Sequence, residues 1–195
     1  RSNPQINALY DIKKFGNVHL LHMTDCHAQL NPVHYREPSM NMGVGDAFGK
    51  MPHIVGDSLL KAVGVPAGSA LAHAFSCLNF EEAASVYGRL GGFSHLKVLV
   101  DKFRSERPGA LLLDGGDTWQ GSGTALWTNG QDMVDACLLL GVDVMTAHWE
   151  MTLGADRVQQ IVNSDFSGKV DFIAQNIKTF DFDEPVFDSF MVKEM

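Results

Sequence analysis

Short unbroken apolar runs alternate along this chain with stretches whose apolar residues recur at helical spacing. Val18-His19-Leu20-Leu21-His22-Met23-Thr24 predicts a buried strand that stops at Asp25-Cys26-His27. After Gly91-Gly92, the positions Phe93, Leu96, Leu99, Val100 and Phe103 predict a helix that Pro108-Gly109 ends. The apolar run Ala110–Leu113 predicts a second strand, leading into Asp114-Gly115-Gly116-Asp117. A helix is expected over about 130–140 with Gly141 as its C-cap, then a strand over Val142–Thr146 that ends near His148. Val158, Ile161 and Val162 predict another helix, Val170–Ala174 a fourth strand ending at Gln175-Asn176, and Val186–Val192 a last strand. Strand alternating with helix implies an α/β fold with a mainly parallel sheet.

Residues 31 to about 88 break this rhythm. Pro32, Pro38, Pro52 and Pro66 punctuate the segment and glycines are scattered through it, with short apolar patches at Ile54–Val63 and Ala70–Phe75 that suit brief helices. A stretch of this length inside an α/β domain is expected to be a functional insertion. The whole chain, 1–195, is therefore expected to be one domain with an insertion at about 31–88. The composition, 45% hydrophobic and 19% charged with net charge -8, is globular, and without a run of Lys or Arg it argues against nucleic acid as a partner. No apolar run is long enough to span a bilayer. The cysteines Cys26, Cys77 and Cys137 form no C-x-x-C pair, so neither a zinc knuckle nor a redox dithiol is expected. The chain starts with Arg rather than Met, which suits a processed product.

Chemistry-bearing residues cluster where strands end: Asp25 and His27, Asp117, His148 with Glu150, and Asn176. In an open α/β sheet the carboxyl ends of parallel strands gather at one edge, where ligands bind. Carboxylate and imidazole together suit Zn, Mn or Fe. A carboxylate on the tight Gly-Gly turn before Asp117 could bridge two cations, and ions roughly 3.5–4 Å apart activate water and clamp a tetrahedral oxyanion. Other polar residues have plainer expected roles. Asp114 shapes the glycine turn; Asn176 bonds backbone; His19 and His22 pack in the first strand; His95 is structural. His34, His53 and His73 lie in the insertion, mostly at the surface. Trp119 and Trp127 pack the turn, Cys26 is a small filler pointing away from an extended ligand segment, and Asp181–Glu184 is a solvated loop.

Asp25-x-His27, Gly116-Asp117 and His148-Trp149-Glu150 together resemble the signature of the calcineurin-like metallophosphoesterases in order and spacing. The 5′-nucleotidase branch is more similar still, through Gly91-Gly92-Phe93-Ser94-His95-Leu96 and the turn Gly116-Asp117-Thr118-Trp119-Gln120-Gly121-Ser122. The resemblance covers about 17–30 and 88–195. It implies part of a four-layer αββα sandwich and two divalent metal ions, Mn2+ foremost with Zn2+ or Fe as alternatives. The implied ligands are Asp25, His27, Asp117 and His148. Glu150 would orient a ligand from behind, and Arg89, beside the double glycine, would contact an anionic substrate or remain a solvated cation.

The third motif departs from the usual Gly-Asn-His-Glu/Asp, because Ala147-His148-Trp149-Glu150 stands there. Aligned on Glu150, His148 takes the Asn ligand position and Trp149 that of the catalytic His; alternatively His148 is the catalytic His and Ala147 replaces Asn. The His-Trp-Glu triplet, the long insertion and Asp-Cys-His resemble the thiosulfohydrolases of sulfur oxidation. That implies a periplasmic enzyme releasing sulfate from a cysteine S-thiosulfonate on the swinging arm of a Sox-type sulfur-carrier protein. A 5′-nucleotidase or other phosphoesterase is the second reading, and a non-catalytic fragment or binding module the third. After His148 the chain has no histidine, whereas the resembled family carries further histidine ligands there. The chain is thus expected to hold only part of the site, to leave a sheet face bare, and to be weakly active alone.

Overall fold

The computed structural model describes residues 10–34, 43–75 and 80–195. Residues 1–9 of the lead-in, Cys77 and the side chain of His73 lie outside what is described. In chain order the elements are β1 (Leu20–Met23), β2 (Val33–His34), α1 (Gly56–Val63), α2 (Ala70–Phe75), α3 (Phe80–Tyr87) and β3 (Arg89–Leu90). They continue with α4 (Phe93–Glu106), β4 (Leu111–Asp114), α5 (Gly123–Thr128), α6 (Gln131–Leu140), β5 (Val144–Met145), α7 (Ala155–Gln160) and β6 (Asp171–Phe172). Two compact units result. One comprises residues 1–31 and 93–195, and the other residues 32–92. No helix among the described residues is long and apolar enough to cross a membrane.

The larger unit is built on a four-stranded sheet in the order β1-β4-β5-β6, with every pair parallel. Spatial order follows sequence order, so each crossover steps in the same direction. Right-handed crossovers then put the connecting helices of this unit, α4 to α7, on one face. That face is dry: Met23, Leu112, Met145 and Phe172 from the strands meet Phe93 and Val100 of α4, Val134, Cys137 and Leu140 of α6, and Val158 and Ile161 in one core. The opposite face keeps apolar residues open. Leu20 is 57% exposed and Val18 48%, while Leu111, Leu113 and Val144 are half-buried. Parallel sheets are ordinarily covered on both faces; among the described residues this face is only partly covered.

The elements form largely where periodicity places them. Helix α4 ends just before Pro108, whose ring cannot continue it. Helix α6 ends at Gly141 in the left-handed conformation, its N–H reaching the Cys137 and Leu138 carbonyls. Arg104 of α4 clips the next strand in place, donating to the Gly141 carbonyl at 2.7 Å and to Asp143 Oδ2 at 2.6 Å. Helix α7 runs into a π-helical turn at Ile161–Asp165, which keeps Ile161 in the core. Helix α5 was not expected from periodicity. Its local signals are Ser122, whose Oγ accepts from the Ala125 N–H at 3.1 Å, and a left-handed Asn129 at its end.

Three expectations fail here. Val186–Val192 is not a strand: the contacts are single bridges, Ile173 with Asp188 and Lys178 with Pro185. Pro185 has no N–H to extend a ladder, and after Phe187 packs on Phe172 the chain is largely exposed. His22 is exposed rather than packed, because strand alternation turns it to the open face with Leu20. His95 is exposed on α4, so nothing gives it a structural role.

In the smaller unit, β2 and β3 pair antiparallel with His34 opposite Arg89, and both residues are exposed. Helices α1 and α2 coincide with the two apolar patches, and α1 closes on a left-handed Gly64. His53 is half-buried.

Phe166 is fully buried, edge-on to Trp119 with ring centroids 5.4 Å apart. Phe166→Ala should cost about 3–5 kcal/mol in urea unfolding, since it leaves a cavity under the turn that carries Asp117. A loss below about 1 kcal/mol would show that this aromatic packing does not support the fold.

Candidate metal centre

Three loops at the carboxyl edge of the sheet build the centre: residues 24–28 after β1, 115–121 after β4, and 146–150 after β5. The first two are laced together by backbone hydrogen bonds, Asp25 N to Gly116 O at 2.9 Å, His27 N to Asp117 O at 3.0 Å and Ala28 N to Thr118 O at 3.0 Å. This lacing forces non-glycine residues into the left-handed region, with φ of 54° at Asp25, 47° at His27, 51° at Ala28 and 57° at Asp117. Such conformations cost about 1 kcal/mol or more each and gather at functional sites. Two glycines make the approach possible. A Cβ on Gly116 would lie 2.7 Å from the His148 backbone nitrogen, and one on Gly121 would lie 2.6 Å from the His27 carbonyl oxygen. Both also have positive φ, so no other residue fits either place without moving a ligand loop.

Glu150 locks the third loop to the second. Its carboxylate is fully buried. One oxygen accepts the Thr118 N–H at 2.7 Å and the Trp119 N–H at 3.3 Å; the other accepts the His148 N–H at 2.7 Å and the Asp117 N–H at 3.1 Å. Below them Asp114 Oδ1 accepts from Gly116 N at 3.0 Å and from the Thr118 hydroxyl at 2.9 Å, so it shapes the glycine turn. Burial is the main cause that pushes the Asp114 carboxyl up to about 6, against the opposing effect of those two donors.

The lacing brings the sequence-predicted ligands together. Asp25, Asp117 and His148 each present a donor atom within 4.8 Å of the others. His27 joins through Nε2, 3.3 Å from Asp117 Oδ2 and 3.8 Å from Asp25 Oδ1. His148 Nδ1 lies 3.1 Å from the same Asp117 Oδ2. Two ligands on adjacent positions of one first-row cation lie about 3 Å apart, given bonds of about 2.1 Å. The four donors therefore fit cations between them after small side-chain adjustments. Asp117 is nearly buried, its side chain 7% exposed, while His27 and His148 are more than half exposed, so the centre opens to solvent on their side. The Thr24 hydroxyl, 2.5 Å from Asp25 Oδ2, holds the Asp25 carboxyl below its ordinary range; burial opposes this, and His148 and His27 add to it.

Asn176 is exposed and is not among the clustered donors, and Arg89 is an exposed residue of the smaller unit. Trp119 is fully buried beneath the turn, but Trp127 is 84% exposed and packs nothing there, because α5 carries it away from the core. Cys26 turns onto the core although its neighbours are left-handed rather than extended. Burial pushes its thiol up to about 11, so it is an inert filler. Gln120 escaped notice in the sequence: its Nε2 donates to Asp117 Oδ1. Its only signal was its place three residues beyond Asp117.

No protein-family model matches the chain, and no curated protein does. Solved structures do match. The sulfate thiohydrolase SoxB of Thermus thermophilus is 33% identical over 95% of this chain, with a TM-score of 0.67. The calcineurin-like phosphoesterase YfkN of Bacillus subtilis is 16% identical over 91% with a TM-score of 0.51, and the Haemophilus influenzae NAD nucleotidase NadN 15% over 90% with 0.53. The last two show likeness of fold alone. The chain spans 34%, 42% and 24% of the lengths of these three proteins.

Glu150→Ala would orphan N–H groups from both loops, and each buried orphan costs about 1–3 kcal/mol. The variant should lose at least about 3 kcal/mol in chemical denaturation and bind Mn2+ about 10- to 100-fold more weakly by calorimetry; unchanged metal affinity would separate Glu150 from the centre. Asp114 gives a pH test on metal-free protein. Its folded value near 6 lies above the ordinary 3.8, so its contribution is fully present below pH 3.8 and is lost as pH rises through 6. Asp114→Asn keeps an acceptor for Gly116 and Thr118 without that loss, so its stability relative to wild type should rise between pH 4 and 7; a flat difference would contradict the raised value.

The chain is thus similar in sequence to part of the sulfate thiohydrolase SoxB and shares the fold of a calcineurin-like phosphoesterase and of an NAD nucleotidase.

Proposed function

We propose that this chain is part of a two-metal hydrolase that releases sulfate from a cysteine S-thiosulfonate on a sulfur-carrier protein. The observation that carries the reading is Asp117 Oδ2, which lies 3.3 Å from one imidazole and 3.1 Å from another at the open edge of the sheet. Asp25, His27, Asp117 and His148 would hold two divalent ions; Mn2+ is our first choice, and Zn2+ and Fe suit the same donors. When bound, such a pair supplies an activated water and neutralises charge on a tetrahedral oxyanion. Glu150 keeps Asp117 and His148 in register, and Asp25 stays ionised to receive a cation. Further ligands would come from the parent protein beyond this segment, as the 34% coverage of SoxB suggests.

The substrate follows from what stands beside the ligands. Trp149 is 57% exposed next to His148, and an indole N–H is no useful general acid at neutral pH. Phosphoester cleavage expels an alkoxide that needs a proton. Cleaving an S–S bond with water instead forms a new sulfur–oxygen bond, yields sulfate and expels a persulfide sulfur. An ordinary thiol already has a pKa of about 8.5, so such a leaving group departs without an acid. The SoxB likeness supports the same substrate class, a carrier-protein partner and a periplasmic setting. Nucleotide hydrolysis is the second reading, supported by the fold shared with NadN and YfkN.

The full-length protein should hydrolyse a protein or peptide S-thiosulfonate in preference to nucleoside monophosphates, and chelation should abolish turnover. Preference for nucleotides would select the second reading, and no stoichiometric metal would leave a binding module. Trp149→His should change thiosulfonate turnover by less than about tenfold, whereas a missing general acid would make the gain about 100-fold or more.

A further inference from the structure

Trp119 is fully buried beneath the ligand turn, whereas Trp149, next in the chain to His148, is 57% exposed. That exposure does not come from a loose loop. Before it, the His148 N–H is held by Glu150. After it, the chain enters a 3-10 turn over Glu150–Leu153. The Trp149 carbonyl accepts there from the Thr152 N–H at 3.0 Å and from the Thr152 hydroxyl at 2.6 Å. Met151 and Leu153 pack the turn against the core. Trp149 itself, with φ of -98° and ψ of 6°, lies in the bridge region where active-site residues recur. A well-held backbone thus presents a large apolar ring to solvent, its centroid 6.4 Å from that of the His148 imidazole.

We propose that Trp149 is a specificity-determining residue, its indole packing on the uncharged sulfur atoms that link the carrier cysteine to the sulfonate. The inference rests on the thiosulfonate reading above. The anionic end of the substrate goes to the ions, and the atoms next to it come within reach of a ring beside His148. Divalent sulfur is polarizable and bears no charge, so an aromatic ring is a favourable neighbour for it. The ester oxygen of a phosphoester is hydrated instead, and a ring face that strips this water returns no hydrogen bond. The side chain that supplies no proton therefore favours the substrate that needs none.

The test uses the full-length protein loaded with Mn2+ and a glycine-rich peptide carrying a cysteine S-thiosulfonate. Trp149→Leu keeps an apolar side chain without a ring; Trp149→Phe keeps a ring. The Leu variant should raise KM for the peptide about 3- to 10-fold and leave kcat within about twofold, as expected when a uniform binding contact is lost. The Phe variant should stay near wild type. Inhibition by inorganic phosphate, which needs the ions and not the indole, should be unchanged in both. Wild-type KM in Trp149→Leu would overturn the inference and leave the thiosulfonate reading standing. So would altered phosphate inhibition in both variants, since Trp149 would then only support the ligand loop. A loss in Trp149→Leu confined to nucleoside monophosphates would make the indole a base platform and overturn it too. A wild type that cleaves nucleotides and not the peptide would overturn that reading and the inference with it. If the Leu variant does not fold, fluorescence decides. The emission difference between wild type and Trp149→Phe reports this indole. It should change when an uncleavable peptide binds in which a methylene replaces the sulfur next to the sulfonate; no change refutes the contact.

Discussion

The buried Glu150 carboxylate is the interaction on which the centre depends. A charge with no exposure is costly unless it is met by donors. Here four backbone N–H groups meet it, three from the turn after β4 and one from the loop after β5. Those same groups would otherwise be orphans at the ends of strands, where the ladder stops. One side chain thus satisfies two loops at once, and in doing so fixes the separation of Asp117 from His148.

The remaining loop is positioned by backbone alone. The Asp25–Ala28 segment runs against Gly116–Thr118 through three hydrogen bonds, and these offset the left-handed conformations of Asp25, His27 and Asp117. Strain concentrates on three of the four proposed ligands, where a relaxed loop would hold donors less closely. Gly116 and Gly121 supply the clearance, each with backbone of a neighbouring loop where a Cβ would be.

Topology explains both what is finished and what is open. With strand order equal to chain order, right-handed crossovers stack helices on one face and bury Trp119, Phe166 and Phe172 beneath the ligand turn. The other face keeps Val18 and Leu20 open. The chain spans 34%, 42% and 24% of the lengths of the three similar structures.

The sequence by itself determined the alternation of strand and helix, the parallel sheet and the strand-end positions of Asp25, His27, Asp117 and His148. These depend on local periodicity and on punctuation such as Pro108 and Gly141, which act within a few residues. It failed at Val186–Val192, where apolar residues without a neighbouring ladder looked like a strand, and at His22 and Trp127, whose exposure depends on which face meets the core. Only the tertiary structure decided which atoms meet. That Glu150 would accept from Thr118, that Asp117 Oδ2 would face both His27 and His148, and that Asp25, His27 and Asp117 would be left-handed all follow from contacts between segments far apart in the chain. Such contacts are settled by sheet register and loop packing, and local spacing carries no record of them.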